Sequence, residues 1–256
     1  MKARVLQHIK PISKKHQVIE MIKGAILSGK MEPGEAIVEN RVAQDLGVGT
    51  PLVREALLEL EHQGFVQKFP YKGTVVTELG PDDIEHIFSL RVELESVAIE
   101  WAKLNGTPAE IAELLVLAQG MRECAGEMRL DLFYENDIAF HRKLWEMSGN
   151  PYLVDTLERL VVPLFAFFLM RNDRDRENYT DSAADHVQFV ESLSSCEAAE
   201  LRQMVKESMT RWKDEMLARL FPERTQSGLR LSAPPADARA RSRRVFAWRR
   251  RESTNG

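Results

Sequence analysis

Two groups of residues in this 256-residue chain have types and spacing that can do chemistry. The first is Asp137 and His141, with His186 further on. A spacing of i, i+4 puts a carboxylate and an imidazole on one face of a helix, where both can point at a single ion, and His186 on a later helix offers a third ligand from across the interior. Taken alone, such a pair is more often a helix-surface contact or a capped core histidine. One carboxylate and two imidazoles also serve metal-dependent catalysis such as hydrolysis or oxygenation, but no further general base or nucleophile stands at motif spacing. The second group is cationic. Arg54 in the first turn of a helix has the donors to read a base edge in a major groove, and Lys72 in a tight turn can touch phosphate or enter a minor groove. Arg41 and Lys68 are further phosphate candidates, Lys68 more readily a solvated surface charge.

The elements that must carry the cationic group are short and well punctuated. Apolar residues at Val18, Ile22, Ala25 and Ile26 predict a helix over 16–28, stopped by Gly29. Turn chemistry at Pro33-Gly34 precedes a second helix with Val38, Val42, Ala43 and Leu46, closed by Gly47. Thr50-Pro51 then reads as a hydroxyl N-cap followed by proline at the first helical position, opening a third helix over 51–63. Two helices about a glycine-containing turn make a helix-turn-helix. The β-prone runs 65–69 and 74–77, around Pro70-Tyr71-Lys72-Gly73, predict a two-stranded wing with a Lys-Gly tip.

From Gly80-Pro81 onward the period stays helical. Helices are expected over 81–104, 109–125, 130–148, 151–170, 181–193 and 198–220, with Thr107-Pro108 as a strong start signal, and together they form a bundle of six or seven helices. Trp145 and Phe140 read as core. Arg91 has two open roles, a bidentate partner for an anionic effector or a salt bridge to Glu95 one turn on. The fold class is therefore mainly α, a winged helix-turn-helix followed by an all-helical bundle.

The net charge of −4 conceals three segments, +2 over 1–80, −12 over 81–221 and +6 over 222–256. Nucleic acid would meet the first and not the second. The last segment is arginine-rich and poor in apolar residues, a composition expected to be disordered and to add nonspecific phosphate attraction. The longest apolar run, about ten residues interrupted by Pro163, falls short of the roughly 20 needed to span a bilayer. With no visible secretory signal, a cytoplasmic protein without membrane partners is expected. Two cysteines, Cys124 and Cys196, exclude a disulfide scaffold and read as buried thiols.

Pro33-Gly34, Glu39, Val42-Ala43, Leu46-Gly47-Val48, Val53-Arg54-Glu55-Ala56-Leu57, Gly64-Phe65-Val66 and Lys72-Gly73-Thr74-Val75-Val76 occur in fixed order, and over 14–78 the chain resembles the N-terminal domain of GntR-family bacterial transcription regulators. Asp137 to His141, Gly149-Asn150-Pro151-Tyr152-Leu153, Asp185-His186 and Leu90 to Glu95 are similar to the FCD ligand-binding domain of the FadR subfamily, over about 81–220. The resemblance implies a non-enzymatic, homodimeric regulator, more a repressor than an activator. It implies operator contacts at Gly49, Thr50, Arg54, Arg41, Lys72 and Gly73. Thr50 replaces an arginine that often reads bases, which implies a different or weaker operator preference. It further implies a divalent metal of the Zn, Ni or Mn class on Asp137, His141 and His186, and a small organic acid effector near Arg91, Asp137, His141, His186 and Ser208. Ser208 stands where the family's fourth ligand, a histidine, usually does, so weaker metal binding is expected. A metal-free site for an acyl thioester is the alternative. The expected boundaries are an arm over 1–13, the winged domain over 14–78, the effector and dimerisation domain over 79–221 and the basic tail over 222–256.

Overall fold

The computed structural model describes residues 13–171 and 176–223, so the expected arm lies outside the described residues except for Ser13, and the basic tail except for its first two residues. Helices α1 (Lys14–Leu27), α2 (Glu39–Leu46) and α3 (Thr50–His62) and strands β1 (Ala36–Ile37), β2 (Val66–Phe69) and β3 (Gly73–Val76) form the head. Val18, Ile22 and Ile26 of α1 bury against the face of α3 that carries Val53, Leu57 and Leu60. Leu60 and Phe65 are fully buried, each contributing about 1.5–3 kcal/mol by leaving water. Gly47 caps α2 in the left-handed conformation (φ 63°), which an L side chain rarely adopts, and so releases the chain into the turn before α3.

Two details differ from expectation. The sheet has three strands in the order β1-β3-β2, all antiparallel, because Ala36 and Ile37 pair with Val75 and Thr74. A two-residue strand is too short to show any period in sequence. The N-cap of α3 is Gly49, not Thr50. The Thr50 hydroxyl instead donates to Asn40 Oδ1 (3.1 Å), tying α3 to α2.

The body comprises α4 (Pro81–Asn105), α5 (Pro108–Glu127), α6 (Leu130–Glu146), α7 (Pro151–Arg171), α8 (Arg176–Ser195) and α9 (Ala198–Leu220). The start expected at Thr107 is seen as a cap, and a second cap is found at Asn150. Thr107 and Glu110 bond each other's backbone N–H (3.3 and 3.0 Å), and Asn150 Oδ1 accepts from the N–H groups of Tyr152 and Leu153. Helix α6 packs against α4, α5 and α7, with Phe140, Leu144 and Trp145 fully or almost fully buried. Cys124 is buried and Cys196 half-buried, both free thiols. Among the described residues no helix is long and apolar enough to cross a membrane.

Head and body meet where the C-terminal end of α3 lies on α6 and α7. The Tyr134 hydroxyl of α6 donates to the Gln63 carbonyl (2.8 Å), and its ring stands 5.6 Å from that of Phe65. The buried Lys23 of α1 pairs with Glu135 (3.4 Å) and lies 5.3 Å above the Phe65 ring. Gly64, at φ +77°, comes so close to α7 that a Cβ there would sit 2.6 Å from the Val162 carbonyl oxygen.

Candidate DNA-reading face and effector cavity

On the head, Arg54 projects from the first turn of α3 with its side chain 62% exposed. Its Nε donates to Glu39 Oε2 of α2 (2.6 Å). That contact fixes the guanidinium by one edge and restricts the rotamers of a long side chain before any groove is entered. Arg41, Lys68, Lys72, Gly49 and Gly73 are exposed, and Thr50 is half-buried by its bond to Asn40. Wing and α3 are thus held in one unit, with β2 packed on α3. Tyr71 carries no signal in the sequence beyond its place in a turn. It is fully exposed at the wing tip in a left-handed conformation (φ 67°), beside Lys72, where an aromatic ring would otherwise turn inward.

In the body, α6 and α8 bring the three candidate ligands together. His186 Nε2 lies 3.3 Å from Asp137 Oδ1 and 3.3 Å from His141 Nε2, and His141 Nε2 lies 3.6 Å from Asp137 Oδ1. An ion with four ligands at about 2.0–2.1 Å separates its ligand atoms by about 3.3 Å, so the three edges fit. The donor chemistry fits as well. His186 Nδ1 donates to the Ser182 carbonyl (2.7 Å), which leaves a lone pair on Nε2 of the neutral ring. That lone pair faces Asp137 Oδ1, a buried oxygen without a hydrogen-bond donor. Two acceptors turned toward each other in a protein interior are balanced by a proton or a metal ion between them. Burial works against a charged His186, yet the nearby Asp137 carboxylate raises its pKa above the ordinary value, the response of a site that favours positive charge.

Glu95, on α4, is by spacing only a partner for Arg91, and in the fold it does more. Its Oε1 accepts from Arg91 Nε (2.7 Å), while Oε2 faces His141 Nδ1 at 3.5 Å, an ion-pair separation without a hydrogen bond. Burial pushes the Glu95 pKa up, but the charges of Arg91 and His141 overcome it and bring it to about 2. Both roles left open for Arg91 are compatible, because its Nε edge binds Glu95 while Nη2 lies 3.4 Å from His141 Nε2. Phe140 is buried as expected, and its ring also packs edge-on against His186 at 4.8 Å, between centroids.

These groups form the floor of an open cavity of about 200 Å³ lined by α4, α6, α7, α8 and α9. Ser208 lines the same cavity, but its hydroxyl donates to Asp185 Oδ2 (3.2 Å), which also accepts from Arg211 and Trp212. Tyr134 is in the wall, so one side chain borders the cavity and holds the end of α3.

Residues 14–76 match the family model "Bacterial regulatory proteins, gntR family", and residues 86–211 match "FCD domain". The HTH-type transcriptional regulator McbR of Escherichia coli K12 is 28% identical over 154 residues, 60% of this chain and 70% of that protein. The HTH-type transcriptional regulator YieP of the same organism is 30% identical over 154 residues, 52% of this chain and 67% of that protein. The solved structure of E. coli McbR/YncC is 23% identical and covers 83% of this chain and 99% of its own with a TM-score of 0.60, which is a likeness of fold. The relatives are regulators and not enzymes, so the catalytic reading of the carboxylate and imidazoles falls. With a winged helix-turn-helix that presents Arg54 and a helical domain that closes over a polar-floored cavity, the chain belongs to the GntR family of DNA-binding transcription regulators, in the group that carries an FCD domain.

Proposed function

We propose that the chain is a FadR-subfamily repressor, working in the cytoplasm as a homodimer, whose hold on its operator is set by a small organic acid bound with a divalent metal in the helical domain. Two copies of α3 would enter successive major grooves roughly one helical turn apart, with Arg54 at base edges and Arg41, Thr50, Lys72 and the backbone of Gly49 and Gly73 at the phosphates. The acidic body faces away from the duplex. Asp137, His141 and His186 would hold an ion of the Zn, Ni or Mn class. Bound there, the ion supplies positive charge and open positions for an acid's oxygens. The Ser182 carbonyl keeps the His186 imidazole turned with Nε2 inward, Glu95 faces Nδ1 of His141, and Arg91 adds a guanidinium at the same floor. An effector acts on the operator only through its differential affinity for the head arrangements that bind and do not bind DNA.

The observation that carries this reading is the convergence of Asp137 Oδ1 and two Nε2 atoms at 3.3–3.6 Å, with the carboxylate oxygen buried and undonated. Elemental analysis before and after chelation, on the protein and on Asp137→Ala, tests it. About one transition-metal ion per chain is expected, lost in the variant; absence of metal after reloading with zinc refutes the metal site. For the head, duplexes selected from a random pool by the native protein should no longer be retained by Arg54→Ala in a gel shift, with far-UV CD unchanged. Undiminished specific binding would overturn the role of Arg54.

A further inference from the structure

We infer that the effector is a monocarboxylate with an apolar, preferably aromatic, body of about ten non-hydrogen atoms, and not a sugar acid, a di- or tricarboxylate or an acyl thioester on a nucleotide carrier. The inference rests on the metal reading above for its polar end and on the cavity walls for the rest.

Charge at the floor sets the number of carboxylates. With Arg91 matched by Glu95 at 2.7 Å and both histidines coordinating as neutral rings, the protein charge left to a bound ion is the −1 of Asp137. A divalent ion turns that to +1, which one carboxylate neutralises. A second carboxylate would find no further unmatched cation at the floor.

The walls set the body. Phe165 and Phe88 flank the Arg91 guanidinium at 4.6 and 5.5 Å, and Phe133, Phe168, Phe189 and Met209 are among the other apolar side chains of the wall. The remaining charged side chain, Asp185, is already taken by Ser208, Arg211 and Trp212. The other polar side chains of the wall, Tyr134, Tyr179, Ser182 and Gln188, are few beside the hydroxyls of a sugar acid, which would mostly meet ring edges and thioethers. Aromatic and methionine walls instead favour a flat apolar group in edge-on or sulfur contact.

Volume sets the length. About 200 Å³ is the space of roughly seven liquid waters at ≈ 30 Å³ each, which at organic packing density holds on the order of ten non-hydrogen atoms. A nucleotide-borne thioester is several times larger.

The test uses the full chain loaded with zinc and measures binding of 3-phenylpropanoate, hexanoate, gluconate and citrate by calorimetry and thermal shift, with zinc stoichiometry measured in parallel. The expected order is 3-phenylpropanoate, then hexanoate, each at least tenfold tighter than gluconate or citrate. Val205→Trp, which narrows the cavity from its α9 side, should weaken 3-phenylpropanoate at least tenfold while hexanoate falls less and zinc stoichiometry holds. Zinc bound at one per chain with gluconate or citrate tightest, or with no monocarboxylate bound, overturns this inference and leaves the metal site standing. Failure to bind zinc overturns both. The ligand ranking on the unsubstituted protein decides the matter even if the tryptophan variant does not fold.

Discussion

Replacing Tyr134 by phenylalanine removes one oxygen atom and keeps the ring that packs on Phe65 and borders the cavity. The lost bond is the 2.8 Å donation to the Gln63 carbonyl, at the residue that caps α3. A made hydrogen bond is worth about 1 kcal/mol net, and a carbonyl left dry costs up to about 3 kcal/mol. A groove beside this contact, bordered by Lys23, Gln63 and Tyr134, gives water access to the carbonyl, so the lower figure applies and the melting temperature should fall by about 2–4 °C. Calorimetry of the two proteins measures it. The position of Tyr134, one turn ahead of Asp137 on α6, adds a second expectation. Holding Asp137 with zinc should slow hydrogen–deuterium exchange of the backbone at residues 59–65 in the native protein, and should do so less in Tyr134→Phe. An unchanged melting temperature would refute the load on this bond. A lowered one with undiminished zinc protection at the end of α3 would refute the idea that this hydroxyl carries the effect.

Three other substitutions probe different parts of the same architecture. Gly64→Ala puts a Cβ into the Val162 carbonyl at 2.6 Å and into a φ of +77°, so a loss of about 2 kcal/mol or more is expected in urea unfolding, against near-neutrality for Gly24→Ala, which meets nothing within 4 Å. Glu95 has a folded-state pKa of about 2 against an ordinary 4.5, so its contribution is present above pH 4.5 and lost as pH falls toward 2. Glu95→Gln should therefore be less stable at pH 7 by roughly 3 kcal/mol, with the gap to the native protein closing over that acid range; a constant gap would deny the linkage. Ser208→His supplies an imidazole to the cavity and should tighten zinc on the order of tenfold in chelator competition, whereas unchanged affinity would show that position 208 does not reach the ion.

Much of this was legible in the sequence because it is local. The helix faces of α1 and α3, the Thr107-Pro108 start and the Asp137–His141 spacing are each settled within one or two turns of chain. What depends on docking was not. The two residues of β1 become a strand only because β3 offers an edge, and Thr50 turns from cap to bridge because Asn40 is across from it. Glu95 is a local partner of Arg91 by spacing, but its second oxygen meets His141 only once α4 packs on α6. The aromatic cavity wall was hidden for a different reason: phenylalanines at helical period look the same whether their rings fill a core or line a space. Tyr134 gave no signal, since a tyrosine hydroxyl and a main-chain carbonyl 71 residues apart share no pattern.

The fit of Gly64 against α7 bears on how such regulators can be rebuilt. Winged heads and helical bodies invite exchange, as if an operator reader could be screwed onto any sensor. Here the thread is specific: a missing side chain at Gly64, a carbonyl at Gln63, a ring at Phe65 and an ammonium at Lys23 are keyed to Val162, Tyr134 and Glu135 on the other part. A chimaera spliced in the 77–80 connector would keep both halves folded and lose the key. A chimaera that carries these seven positions along with the transplanted head is the one in which the body's ligand should still govern the new operator.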